Sequence, residues 1–147
     1  MKTKIAYKDI EIHTVPLERL VLDQDNTKDN FLLLDDVNEK RWKITFKRLH
    51  GLKITATDYR GLDFRKGVGN FPDECFTKGK NFPHCHKYIM EVIDSPWIKE
   101  LKNTLGEKPS AEDLESINGT RHFLLPLYDN VIEIIAWDLQ LEEYKSD

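Results

Sequence analysis

The most regular stretch of the chain runs from Arg41 to Thr57. Trp42, Ile44 and Phe46 alternate with Lys43, Thr45 and Lys47, and Leu52, Ile54 and Ala56 alternate with Lys53, Thr55 and Thr57. A period of two belongs to strands, because successive side chains leave opposite faces. With His50-Gly51 between the two runs, the pattern predicts an antiparallel hairpin with one apolar face and one Lys/Thr face. Upstream, Asn30 to Leu34 is a short apolar run. It lies between the polar, turn-forming clusters Asp23-Gln24-Asp25-Asn26 and Asp35-Asp36-Val37-Asn38, and reads as a buried strand. His86 to Ile93 reads as another. Near the C-terminus, HFLLPLY and VIEIIAWDLQ flank Asp129-Asn130, which predicts a second hairpin. Apolar residues occupy both parities there, so both faces should be buried. Pro126 cannot donate to a ladder, which puts its strand at an edge or at a bulge.

The helical period appears only after residue 94. Ser95-Pro96 is a helix start, with a capping hydroxyl followed by an imide nitrogen where no N–H is needed. Trp97, Ile98, Leu101 and Leu105 then share one helical face, and Gly106 sits where a C-terminal glycine belongs. Ser110 starts a shorter helix with Glu112 and Asp113 in its first turn, apolar positions at Leu114 and Ile117, and a stop at Asn118-Gly119.

Between Tyr59 and Pro83 both periods stop. The segment holds four glycines, two prolines, and Phe64, Phe71, Phe76 and Phe82. A connection this long is unusual in a compact domain. Four phenylalanines left in water would cost roughly 1.5–3 kcal/mol each, so the loop at about 59–83 is expected to be pinned by its own aromatics. The predicted fold is α+β: a mostly antiparallel sheet of five to six strands, with two consecutive short helices packed on one face.

Composition changes this picture little. The 147 residues suit one domain, and 39% hydrophobic against 33% charged content suits a globular chain. No apolar run is long enough for a signal peptide or a membrane helix, and the expected location is the cytoplasm. Two cysteines, Cys75 and Cys85, are too few for a disulfide scaffold and are read as reduced. Charge adds more. Residues 41–87 hold eleven lysines and arginines against four acids, while the rest holds eleven bases against twenty-two acids. A basic middle between acidic flanks is either matched within the molecule or forms a face for an acidic partner.

The stretch PHCH, residues 83–86, is the densest in chemical groups. In an extended chain His84 and His86 share a face and Cys85 points away, so the three cannot bind one ion. His84 and His86 could hold a metal with remote ligands such as Asp73, Glu74 or Cys75, yet the sequence supplies only half of a recognised zinc pattern. Gly67-Val68-Gly69 lacks the third glycine of a dinucleotide loop, and no cofactor is expected. His122 reads as a hydrogen-bonded structural residue. Glu133, set between Ile132 and Ile134, needs a Lys or Arg partner across the sheet if buried. Nucleic acid is disfavoured as a ligand: Trp42 faces away from Lys43, Lys47 and Lys53, and a stacking platform needs both on one face.

The expectation is therefore a non-enzymatic binding protein with a protein partner bearing an acidic surface, immunity-like or adaptor-like in kind. Its contact residues would be Lys43, Lys47, Lys53, Arg60, Arg65 and Lys66, with Tyr59 and Phe64 as aromatic anchors. Charge reversal at Arg60 and Arg65 should then abolish binding without loss of stability. The alternative is a metal-binding protein or small enzyme centred on His84 and His86. A homodimer through an edge strand is a third arrangement.

Overall fold

The computed structural model describes residues 1–14, 19–22, 30–67, 69–77 and 84–145. The predictions at Asp23–Asn26 and at Phe82 and Pro83 fall outside them. Seven strands form one antiparallel sheet: β1 (Lys2–Ile5), β2 (Arg19–Val21), β3 (Phe31–Asp35), β4 (Arg41–Ala56), β5 (Met90–Ile93), β6 (Arg121–Pro126) and β7 (Asn130–Glu143). Their order is β1-β5-β6-β7-β4-β3-β2. Among the described residues three helices accompany the sheet, α1 (Thr57–Arg60), α2 (Pro96–Thr104) and α3 (Ala111–Asn118). The sheet is thus larger than the five to six strands expected, because the two edge strands β1 and β2, four and three residues long, are too short to show a period.

The expected hairpin over residues 42–57 is not formed. Arg41 to Ala56 is one strand of 16 residues, and both halves pair with β7. The extra residue at His50 is absorbed as a bulge between Leu49 and Gly51, and Arg48 next to it takes a left-handed φ of 51°. Gly51 is there for space and not for a turn. A Cβ on it would stand 2.7 Å from Cζ2 of Trp97, so only glycine lets α2 lay its tryptophan on the strand.

The C-terminal hairpin forms from β6 and β7, but its two-residue turn is Tyr128-Asp129 and not Asp129-Asn130: Asn130 already belongs to β7, and its carbonyl accepts the Leu127 N–H at 2.9 Å. Its strands are buried at nearly every position. Strand β6 is not an edge, however. Pro126 is tolerated because it is the last residue of β6 and lies past the point where β5 stops pairing, at Leu124. The predicted strand over 86–93 is regular only over Met90–Ile93.

Both predicted helix starts are present. The Ser95 hydroxyl accepts the Ile98 N–H at 3.2 Å, and the Ser110 hydroxyl accepts the Asp113 N–H at 3.1 Å. Gly106 follows α2 with a φ of 79°.

One apolar cluster gathers Leu32, Leu34, Ile44, Phe46, Phe123, Leu125, Ile132 and Ile134 from the sheet with Ile12 and Ile89. A second joins Phe71, Cys75 and Phe76 to Met90, Val92, Leu124 and Val131. The second cluster is the pinning expected of the long loop. Phe71 and Phe76 are buried, and Phe64 stacks on Phe71 with centroids 5.0 Å apart. Within that segment, α1 and a 3-10 turn at Asp73–Cys75 supply regular structure that no period announced.

Candidate functional site

Glu133 lies directly opposite Lys53 in the β4–β7 ladder. It is 4% exposed and so needs a partner, but Lys53 is not that partner. Arg60, the last residue of α1, reaches in from outside the sheet. Its Nε donates to Oε2 and its Nη2 to Oε1, each at 2.9 Å. His122 Nε2 donates to Oε1 at 3.0 Å. Burial alone would raise the Glu133 carboxyl, but the hydrogen bonds from His122 and Arg60 and the charge of Arg60 outweigh it and hold it at about 2. The carboxylate is therefore ionised and only accepts. His122 Nε2 therefore carries the proton in that contact, and Nδ1 lies 2.6 Å from the Ser95 hydroxyl.

The resulting chain, Ser95–His122–Glu133–Arg60, is buried as far as Glu133 and half-buried at Arg60, and it links the cap of α2 to β6, β7 and α1. Hydroxyl, imidazole and carboxylate follow the order of a nucleophile, its base and the group that orients the base. Two features direct the chain to structure instead. Ser95 is buried, and its hydroxyl already accepts the Ile98 N–H. The following residue is Pro96, which has no N–H to offer a developing oxyanion. His122 is thus the hydrogen-bonded structural residue that its position in an apolar strand suggested.

Above this chain lies an open cleft of about 510 Å³. Its lining includes Lys53 and Thr55 of β4, Tyr59 and Arg60 of α1, and Trp97 and Glu100 of α2, with His122 and Glu133 at its base. Tyr59 stands 85% exposed at the rim. Lys53 has swung away from the ladder, and its Nζ lies 4.2 Å from the centroid of the Trp97 ring. Trp97 also meets the His122 ring edge-on at 5.6 Å.

Of the residues predicted for partner binding, Lys53, Tyr59 and Arg60 meet at this cleft. The other five do not. Lys43 lies over the Phe31 ring and 4.0 Å from Glu142, and Lys47 is half-buried opposite Asp138. Phe64 is spent on the loop core. Arg65 pairs with Asp63 at 2.7 Å on an exposed turn that also carries Lys66. The basic middle is partly matched within the molecule, through Arg41–Asp35, Lys43–Glu142, Arg60–Glu133 and Arg65–Asp63. Charge reversal at Arg60 cannot leave stability unchanged, since it would set a second carboxylate against buried Glu133. Sequence reasoning missed Thr55, Trp97 and Glu100 of the cleft; Trp97 was hidden by its position on the apolar face of α2, which marked it as core.

His84 and His86 share a side, with ring centroids 5.2 Å apart. Both nitrogens of His86 are engaged: Nδ1 with the Glu11 carboxylate, and Nε2 with the Thr77 hydroxyl at 2.7 Å. Among the described residues no group of three or more His, Cys, Asp or Glu side chains is arranged to hold a metal ion. Cys75 and Cys85 are free thiols. Burial pushes Cys75 up to about 12, helped by Cys85 and Glu74, and pushes Cys85 up to about 11. At pH 8 both should react with an alkylating reagent at least roughly a hundredfold more slowly than an exposed cysteine, Cys75 the more slowly of the two, since the thiolate is the reactive form. Timed alkylation with and without denaturant measures this; fast labelling of either thiol in the native protein would contradict the packing described.

Among the described residues no helix is long and apolar enough to cross a membrane. Comparison with known proteins leaves the site to be read on its own chemistry: the chain matches no family model, no curated protein and no solved structure.

Proposed function

We propose that this chain is a cytoplasmic binding protein without catalytic activity, immunity-like or adaptor-like in kind, and that its partner is another protein. The observation that carries this reading is the convergence of Lys53, Tyr59 and Arg60 with Trp97 around one open cleft. Interface hot spots are enriched in tyrosine, tryptophan and arginine. A tyrosine 85% exposed at the mouth of a cleft is the kind of anchor a partner covers. The base of the cleft is rigid, since every buried side-chain nitrogen and oxygen among the described residues has a hydrogen-bond partner. A preorganised surface loses less on association than a mobile one. The alternative centred on His84 and His86 has less support, because His86 has no ring nitrogen left for a metal.

The test uses tagged chains expressed in cells of the natural source and recovered with whatever they bind. Tyr59→Ala and Lys53→Met should each reduce recovery of a specific partner at least tenfold at an unchanged melting temperature; a neutral replacement is used at 53 because a carboxylate there would face Glu133 across the ladder. Arg65→Glu should not. Undiminished recovery with both cleft variants would overturn the proposal.

A further inference from the structure

We infer that the cleft takes the side-chain carboxylate of an aspartate or glutamate on the partner, held by Lys53, Thr55 and the outer edge of Arg60. This inference rests on the binding reading above and gives it a chemistry.

The argument starts from a surplus. Lys53 and Glu133 face each other across the ladder, where opposite charges normally pair. Here the two oxygens of Glu133 are filled by Arg60 and His122. The Lys53 ammonium is left over the face of Trp97, with no carboxylate within ion-pair distance among the described residues. Arg60 is also only partly used. Its Nε and Nη2 serve Glu133, and Nη2 also meets the Met1 sulfur at 3.3 Å. The two N–H groups on Nη1 have no partner among the described residues. Thr55 stands two residues from Lys53 on the same face of β4 and lines the same cleft with a hydroxyl that is likewise free among those residues. Lys53, Arg60 and Thr55 thus line one cleft, and each has an N–H or O–H to donate.

Glu100 narrows the class of anion. Its carboxylate lines the same cleft from α2. It would repel a compact dianion such as phosphate, but it can accept an N–H beside a single carboxylate, as a peptide backbone provides. Trp97 and Tyr59 give the methylene groups of an acidic side chain an apolar wall. Geometry and charge together favour an acidic residue within a polypeptide over a free inorganic anion.

The experiment is a titration of the full-length, 15N-labelled chain with acetyl-Gly-Glu-Gly-amide, with the glutamine counterpart, and with inorganic phosphate. The Trp97 indole, the Arg60 Nε–H and the amides of Lys53 and Thr55 are the signals to follow. Saturable shifts with the glutamate peptide are expected, at least tenfold weaker with glutamine and with phosphate. Lys53→Met should abolish the preference for glutamate at an unchanged melting temperature. Equal binding of the glutamate and glutamine peptides, or no saturable shift at all, would overturn the carboxylate assignment. So would phosphate binding as tightly as the peptide. In each of those cases loss of partner recovery on Tyr59→Ala would still stand, so a failed assignment is separable from a failed binding surface.

Discussion

Glu133→Ala should lower the free energy of unfolding by about 3–5 kcal/mol, the scale for removing one partner of a buried ion pair. The variant strips Arg60 of both its hydrogen bonds to the carboxylate and leaves the His122 Nε2–H without an acceptor in a site 3% exposed. Arg60→Met combined with Glu133→Leu should recover only part of that loss: it leaves no stranded guanidinium behind, but the His122 Nε2–H still lacks its acceptor. The same group sets an acid dependence. Its carboxyl is held at about 2, against an ordinary 4.5. A depressed carboxyl stabilises the fold above the unfolded value, and that contribution is lost as pH falls from about 4.5 towards 2. It amounts to roughly 3 kcal/mol, and Glu133→Gln should flatten this part of the pH profile. Denaturant unfolding between pH 2 and 7 measures both effects. A loss below 1 kcal/mol for Glu133→Ala would show that the chain from Ser95 to Arg60 does not hold the elements together.

The second large effect is expected at Asp36. Its carboxylate is 2% exposed and accepts three N–H groups: the Asn38 amide at 2.8 Å and the Lys40 amide at 3.0 Å on Oδ1, and the Trp42 indole at 2.9 Å on Oδ2. It thereby closes the turn from β3 to β4 and fixes the ring at the start of β4. Asp36→Ala leaves three donors to be satisfied elsewhere and should cost about 3 kcal/mol, since each orphaned buried group costs on the order of 1–3 kcal/mol and water will reach some of them. Asp36→Asn should cost less if the carbonyl keeps Oδ1's place, but its NH2 then faces the indole N–H. Equilibrium unfolding, followed by tryptophan emission, measures the loss; equal stability of Asp36→Ala and the unaltered protein would contradict this role.

These two sites also show what could be read from residues in order along the chain. Local chemistry was legible. Ser95-Pro96 and Ser110 announced their helices, Gly106 announced its cap, and the alternation from Trp42 to Ala56 announced a strand. Gly51 was misread because a glycine between two alternating runs suggests a turn, whereas what it provides is room for Trp97, 46 positions later. Asp36 was legible as part of a turn, but its indole contact depends on how β4 leaves that turn. For Glu133 the need for a cation was evident from Ile132 and Ile134 on either side. The cation's source was not, since Arg60 lies 73 positions away on a four-residue helix without an apolar period. The cleft shares that difficulty. Lys53, Tyr59 and Arg60 were nominated by charge and side-chain type, and only the packing of α1 and α2 beside β4 separates them from Lys43, Lys47, Phe64, Arg65 and Lys66.

The most direct test of the cleft as the binding surface is a photo-reactive phenylalanine analogue placed at position 59, and separately at position 66, in the chain expressed in its natural cells. Tyr59 and Lys66 are both exposed, but only Tyr59 lines the cleft. Irradiation should give a discrete adduct with a second protein from position 59, lost when Lys53→Met is added, and none from position 66. An adduct from position 66 and none from position 59 would contradict the account and move the interface away from the cleft.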